Sequence, residues 1–523
     1  MGYLVAGSRG NRVGFFNAWL GSSQSFLPAA FVVVGSISIG LIHVFTNGDL
    51  YISIAGLAIG TIAIITYYRL EWGFFVFVGL VLVFDQFAIP GFEPMTYKAS
   101  YFLTLNAIFP NLSVGFLTPM EIHLCFLIAM WILVSVIKRD RQSSKTAIVA
   151  AVGLFFSWLI VSLVHGFANG GDPMISLWEV RALSYLGIMY FFTGKVIQTK
   201  EQVYTLIWIC ILAITCKALQ GAGRFIAGGI SLGGARTLMN HEDPVFAVTL
   251  FVLLAGYYVY GFRGKQRRAL RWIMIPLILG FYVANRRAAL ASAVTAFCAL
   301  LLMLPKVKRK KILILLTLFA VLFGVYLAIY WDLGGRMGQV AQMVKSTVIK
   351  DPNVINWEDY TSNIARDQEN YNLSVTLKKS PILGLGFGRK YELPLRVYGT
   401  FALKGYVTHN QILWLLVKTG PVGFFLFAFF IIAFVMKTSN AFKKIDDTFL
   451  KAVCVMVIAA ILNQLVVSYV DMQLTFHRNM IYLGVLMGLL PLLLREADHP
   501  ATIGNAKTQG NKADRVESAY HFV

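Results

Sequence analysis

Apolar runs of near-spanning length recur along this chain, and short polar turns separate most of them. They are Phe26–Thr46, Tyr51–Tyr68, Trp72–Pro90, Leu117–Ile137, Ala147–His165, Leu183–Ile197, Val203–Gly221, Pro244–Phe262, Trp272–Ala284, Ala288–Leu304, Ile312–Trp331, Ile412–Met436, Ala452–Tyr469 and Met480–Leu494. Only helices and closed barrels satisfy their own backbone in hydrocarbon, and these runs are too long for barrel strands. The pattern predicts an all-α polytopic integral membrane protein. It gives about 14 transmembrane helices, with a range of about 12 to 14 because the Leu183, Trp272 and Met480 runs are short for a span. The first run is long enough to span, so it reads as a retained helix and not a cleaved signal.

One interval breaks the pattern. After Trp331 the chain crosses about 75 mostly polar residues, an unusual length for a connection, before apolar sequence resumes near His409. This divides the chain into an N-terminal transmembrane bundle of about 11 spans (residues 1–331), a long loop carrying short helices (332–408), C-terminal transmembrane helices numbering about three (409–495), and a polar tail (496–523). Asp243-Pro244 reads as a helix N-cap followed by proline at the first helical position. Gly420-Pro421 should break the helix begun near His409. Ser380-Pro-Ile-Leu-Gly384-Leu-Gly386-Phe-Gly388 lacks the strand and helix of a dinucleotide site, so it predicts a backbone turn that lets the loop pack closely.

Composition agrees with the pattern. The chain is 57% hydrophobic and 14% charged, against roughly 25% charged residues in soluble domains. Its net charge of +21 could suggest nucleic acid, but the cations gather in short turns between runs. Lys138–Lys145, Arg263–Arg271, Lys306–Lys311 and Lys437–Lys444 fall on one side if every run spans. By the positive-inside rule that side is cytoplasmic, with both termini inside and the long loop outside. The five cysteines lie in apolar runs without a Cys-x-x-Cys pair, which argues against redox or zinc chemistry.

The outward side holds the candidate chemistry. Arg286 and Arg287 sit together in a turn where orientation disfavours cations, and adjacent guanidinium groups suit phosphate oxygens. Arg236 lies in a glycine-rich loop just before a helix N-terminus, a place suited to anions. His241 and Glu242 follow it, as helix-capping residues or as groups that polarise an acceptor. The loop adds Arg366, Lys378, Lys379, Arg389, Lys390 and Arg396, and the last outward turn holds Asp471, His477 and Arg478. His409 stands where the loop meets the membrane, and an imidazole with an ordinary pKa near about 6.5 suits a general base. No histidine–cysteine cluster has zinc spacing, and no close acidic pair calls for magnesium.

Four stretches carry a resemblance. Thr408-His-Asn-Gln-Ile-Leu-Trp-Leu-Leu-Val-Lys-Thr-Gly420-Pro-Val-Gly423 resembles the histidine–asparagine helix of the O-antigen ligase and polysaccharide polymerase superfamily of bacterial inner membranes. Arg366 followed by Lys378-Lys-Ser-Pro-Ile-Leu-Gly-Leu-Gly-Phe-Gly388 is similar to its upstream arginine and glycine stretch. Asn285-Arg-Arg-Ala-Ala-Leu290 resembles its arginine helix start, and Arg236 with Asn240 and Pro244 its arginine loop, although Asn240-His-Glu-Asp-Pro244 is longer than the family's step.

The resemblance implies transfer of a glycan from undecaprenyl pyrophosphate to an acceptor hydroxyl at the periplasmic face, without metal or cofactor. His409 would be the catalytic base. Arg286, Arg287, Arg236 and Arg366 would bind pyrophosphate, with Asn410, His241 and Glu242 in support. The partners implied are the lipid-linked glycan donor, a lipid A core or growing glycan acceptor, and the bilayer. A repeat-unit polymerase uses the same donor chemistry. A transporter of lipid-linked oligosaccharide would instead place charges along a mid-membrane path and repeat its halves.

Overall fold

The computed structural model describes residues 50–89, 94–108, 115–138, 148–229, 237–333, 335, 337–397 and 403–498. The first apolar run, Arg236 and the tail beyond Asp498 lie outside the described residues. Every apolar run from Tyr51 onward falls on a helix. These are α1 (Leu50–Tyr68), α2 (Leu70–Val83), α3 (Pro119–Lys138), α4 (Val149–Ala168), α5 (Pro173–Val196), α6 (Lys200–Ala227), α7 (Asp243–Tyr260), α8 (Lys265–Val283), α9 (Arg287–Met303), α10 (Lys306–Tyr330), α13 (Gln411–Lys444), α14 (Thr448–Ser468), α15 (His477–Met487) and α16 (Leu490–Asp498). The long loop holds α11 (Gln339–Val348) and α12 (Trp357–Lys379). At 23 residues, α12 is longer than the short helices the sequence predicts.

Eight helices among the described residues are long and apolar enough to cross a membrane: α3, α4, α6, α7, α10, α13, α14 and the α15–α16 pair. Shorter apolar helices add most of α1, with α2 and α9. α5 carries Glu179, Arg181 and Lys195, and α8 opens on a run of cations; neither is among the eight. The sequence-based figure of about 14 would need these five helices to cross as well, together with the first apolar run, which lies outside the described residues.

Local chemistry sets the helix starts. α5 begins well ahead of its apolar run because Asp172 Oδ1 accepts from the Ile175 amide at 2.9 Å and Pro173 follows, a cap-and-proline start. At α7 the structure corrects the sequence: Glu242 holds the N-cap position, without a capping side-chain bond. Asp243 lies inside the first turn, where its carboxylate accepts from the Asn240 amide at 3.1 Å and pairs with buried Arg478 at 2.9 Å. An ion pair to a neighbouring helix has taken the carboxylate away from capping.

α7 and α14 form the centre, each with 78% of its apolar window buried; a helix apolar on all sides belongs inside. α10 is the opposite, with none of its window buried, and stands outside the bundle. At one end, the turns after α6, α8 and α14 come together, with Leu238 N donating to Val283 O at 3.2 Å and Thr237 Oγ1 to Ala284 O at 2.9 Å. The turns at the other end carry the basic patches and are joined by the Lys200–Asp447 ion pair at 2.5 Å. α5 and α15 cross closely at Gly484-Val-Leu-Met-Gly488. A Cβ on Gly484 would lie 2.7 Å from Leu186 O, and one on Gly488 2.9 Å from Tyr190 O. Small residues four apart are how helices approach in lipid, where the hydrophobic effect does not drive association.

Gly488→Leu should therefore lower the unfolding temperature of the purified protein in detergent by several degrees, consistent with an overpacking cost of about 1–3 kcal/mol. An unchanged transition in a thermal scan would contradict this packing.

Candidate active site at one end of the bundle

The site is built on a broken helix. Gly420 (φ 68°, ψ 175°) interrupts α13 just before Pro421, the break the sequence predicts. Proline has no N–H, so the carbonyl four residues earlier loses its helical donor. Here the Leu385 amide donates to that carbonyl, Val417 O, at 2.7 Å; Gly386 N donates to Lys418 O at 3.0 Å and Trp158 Nε1 to Thr419 O at 2.8 Å. The glycine-rich stretch therefore docks backbone against backbone. A Cβ on Gly384 would lie 2.4 Å from Gly420 N, and one on Gly386 2.5 Å from Gly166 Cα of α4. Beneath the junction, Lys418 and Glu179, both with fully buried side chains, pair at 2.6 Å. Gly388 N donates to Glu179 at 2.5 Å and Lys418 to Arg389 O at 2.6 Å.

This docking lays α12 across the start of α13, where it meets His409. Glu369, on α12 and with only 1% of its side chain exposed, faces His409 Nδ1 at 3.0 Å and accepts from the His409 amide at 2.9 Å. A carboxylate at Nδ1 favours the tautomer with the proton on that nitrogen. The His409 side chain is one-quarter exposed. Asn410 holds it in place: its Oδ1 caps α13 by accepting from Leu413 N at 3.0 Å, and its Nδ2 donates to Asn370 Oδ1 at 3.0 Å.

The adjacent arginines diverge. Arg286 donates to His241 Nε2 at 2.7 Å, and His241 Nδ1 faces Asp471 Oδ2 at 3.0 Å. Arg287 turns to the loop helices, donating to Ser346 O at 3.0 Å and Asn363 Oδ1 at 2.9 Å, with Asp359 at 3.8 Å. Arg366 lies one turn before Glu369 on α12, half-buried. Glu242 is fully buried, 3.7 Å from Arg478, and burial raises its pKa to about 7 against the pull of that arginine. Arg478 itself is buried against the Val81 and Leu82 carbonyls and is not part of a solvated turn.

Burial and the Arg286 charge hold His241 below the usual imidazole range, with a smaller contribution from the His409 charge. Burial would raise Asp471, but the His241 and Arg286 charges outweigh it and hold the carboxyl below its usual range.

Glu369 was the residue sequence reasoning missed. Its signal was available: an acid three residues after Arg366, on the same helical face. The acid side of Asp471 was noted but its partner was not, because 230 residues separate it from His241. Among the described residues, no three histidine, cysteine or carboxylate side chains gather as a metal-ligand set.

Residues 272–428 match the O-antigen ligase family, under a third of the chain. No curated protein matches the chain. The matched segment runs from α8 past the kink in α13, and contains Arg286, Arg287, Arg366, Glu369, His409 and the glycine junction. Over those residues the chain is similar to the O-antigen ligase family, which supports the resemblance to the O-antigen ligase and polysaccharide polymerase superfamily.

Proposed function

We propose that this protein is an inverting glycosyltransferase of the bacterial inner membrane that moves a glycan from undecaprenyl pyrophosphate to a hydroxyl of the lipid A core. The observation that carries the reading is the Glu369–His409 pair, set inside the segment that matches O-antigen ligases. His409 Nε2 takes the proton of the acceptor hydroxyl as its oxygen attacks the anomeric carbon from the face opposite the pyrophosphate. The bond from anomeric carbon to phosphate oxygen breaks, and undecaprenyl pyrophosphate leaves with the electron pair. Glu369 stabilises the imidazolium that forms, and the proton then passes to solvent or to the departing phosphate.

Arg286 meets the charge that grows on the leaving group, which is electrostatic stabilisation of the transition state. Arg366 and Arg236, the latter outside the described residues, would extend that anion site. Arg287 contributes indirectly, by bracing α9 against α11 and α12. The polyprenyl tail lies along the helices, and the long loop covers the glycan at the periplasmic end.

The test is transfer by purified protein supplied with a polyprenyl-pyrophosphate glycan and two acceptors, lipid A core and a second lipid-linked glycan. Product on the core alone supports the ligase reading; product only on the lipid-linked glycan would make this a polymerase. His409→Ala should lower kcat about 10²- to 10⁴-fold, the usual weight of a general base. Glu369→Gln, which removes the charge facing Nδ1, should lower kcat at least about tenfold with the donor KM little changed. Arg286→Lys should lower kcat/KM more than Arg287→Lys, because ammonium cannot reproduce a bidentate contact; the reverse order would reassign the anion site.

A further inference from the structure

The chain Arg286–His241–Asp471 is built from three separate connections: the α8–α9 turn, the segment before α7 and the turn after α14. A guanidinium only donates, so His241 Nε2 must accept from Arg286 across their 2.7 Å contact. The ring proton then sits on Nδ1 and is donated to Asp471 Oδ2 at 3.0 Å. Asp471 is held in turn by Gln473 Nε2 at 2.9 Å and by the Met472 amide at 2.9 Å. The Phe476 ring meets His241 edge-on, 6.1 Å between centroids, and closes one side of it. His241 thus has both nitrogens committed, one to each charged neighbour.

Resting on the glycan-transfer reading, we propose that His241, kept neutral by this arrangement and anchored by Asp471, is a positioning residue that aims Arg286 at the donor pyrophosphate. An arginine ordered before the ligand arrives loses less freedom on binding, and a leaving group is best met by dipoles and charges already in place.

The sign of the pH effect follows from the bond. Protonating His241 removes the lone pair that accepts from Arg286 and sets two cations face to face. The charged groups facing His241 are Arg286, Asp471 and His409, while its chain neighbours Glu242 and Asp243 are engaged by Arg478. Because burial and Arg286 depress the His241 pKa, the arrangement is intact at neutral pH and is lost as pH falls below the ordinary imidazole range. Loss of Arg286 placement belongs to donor affinity, so donor binding is the quantity to follow.

The experiment uses the full chain in lipid nanodiscs and measures the Kd of undecaprenyl pyrophosphate between about pH 5 and pH 8. His241→Ala and Asp471→Asn should weaken binding about tenfold or more and raise the donor KM without changing the acceptor KM. His241→Gln can accept from Arg286 and donate to Asp471 without titrating. It should keep near wild-type affinity at neutral pH and lose less affinity in acid than the wild type does. The inference is overturned if the wild type binds and His241→Ala binds equally well, or if His241→Gln and the wild type share one pH dependence. A wild type that does not bind undecaprenyl pyrophosphate would instead overturn the glycan-transfer reading on which the inference rests.

Discussion

The site depends on a contact between backbones. Pro421 and the left-handed Gly420 end the first segment of α13, and the carbonyls of Val417 and Lys418 are left for donors from outside the helix. Leu385 and Gly386 supply those donors, which they can do only because glycines at 384, 386, 388 and 420 leave no Cβ in the way. A long polar segment is thereby fixed against the bundle without a hydrophobic core of its own. Main-chain hydrogen bonds and the buried Lys418–Glu179 pair, flanked by the Gly388 amide on Glu179 and the Arg389 carbonyl on Lys418, hold it there.

Two histidines at this end of the bundle have different surroundings. His409 has a carboxylate at Nδ1 and a side chain that is one-quarter exposed. His241 has a carboxylate at Nδ1 as well, but an arginine occupies its Nε2. The two rings therefore differ at Nε2, where His241 accepts from Arg286 and where the proposal gives His409 its role as base. Arg286 and Arg287 divide in a parallel way, one toward His241 and one into the brace between α9 and the loop helices.

Helix positions were legible because hydrophobic runs of this length have few other ways to satisfy their backbone in lipid. The break at Gly420-Pro421 and the close-packed glycine turn were legible for similar reasons, since proline and glycine act locally. The cap at α7 was not, because Asp243 is diverted by Arg478, a residue more than two hundred positions away. Nor could sequence separate Arg286 from Arg287, or pair Glu369 with His409 across the loop, since adjacent residues at a helix start point apart according to tertiary partners. Arg236 lies outside the described residues, and its place in the anion site is part of the proposal.

The most direct measurement is an experimental structure of the full chain in lipid with a polyprenyl-pyrophosphate glycan bound, using His409→Ala to hold the donor unreacted. The account predicts the pyrophosphate within hydrogen-bonding reach of the Arg286 guanidinium, and the anomeric carbon open toward the position of the missing imidazole. Pyrophosphate bound at the opposite end of the bundle, or out of reach of Arg286, would contradict it.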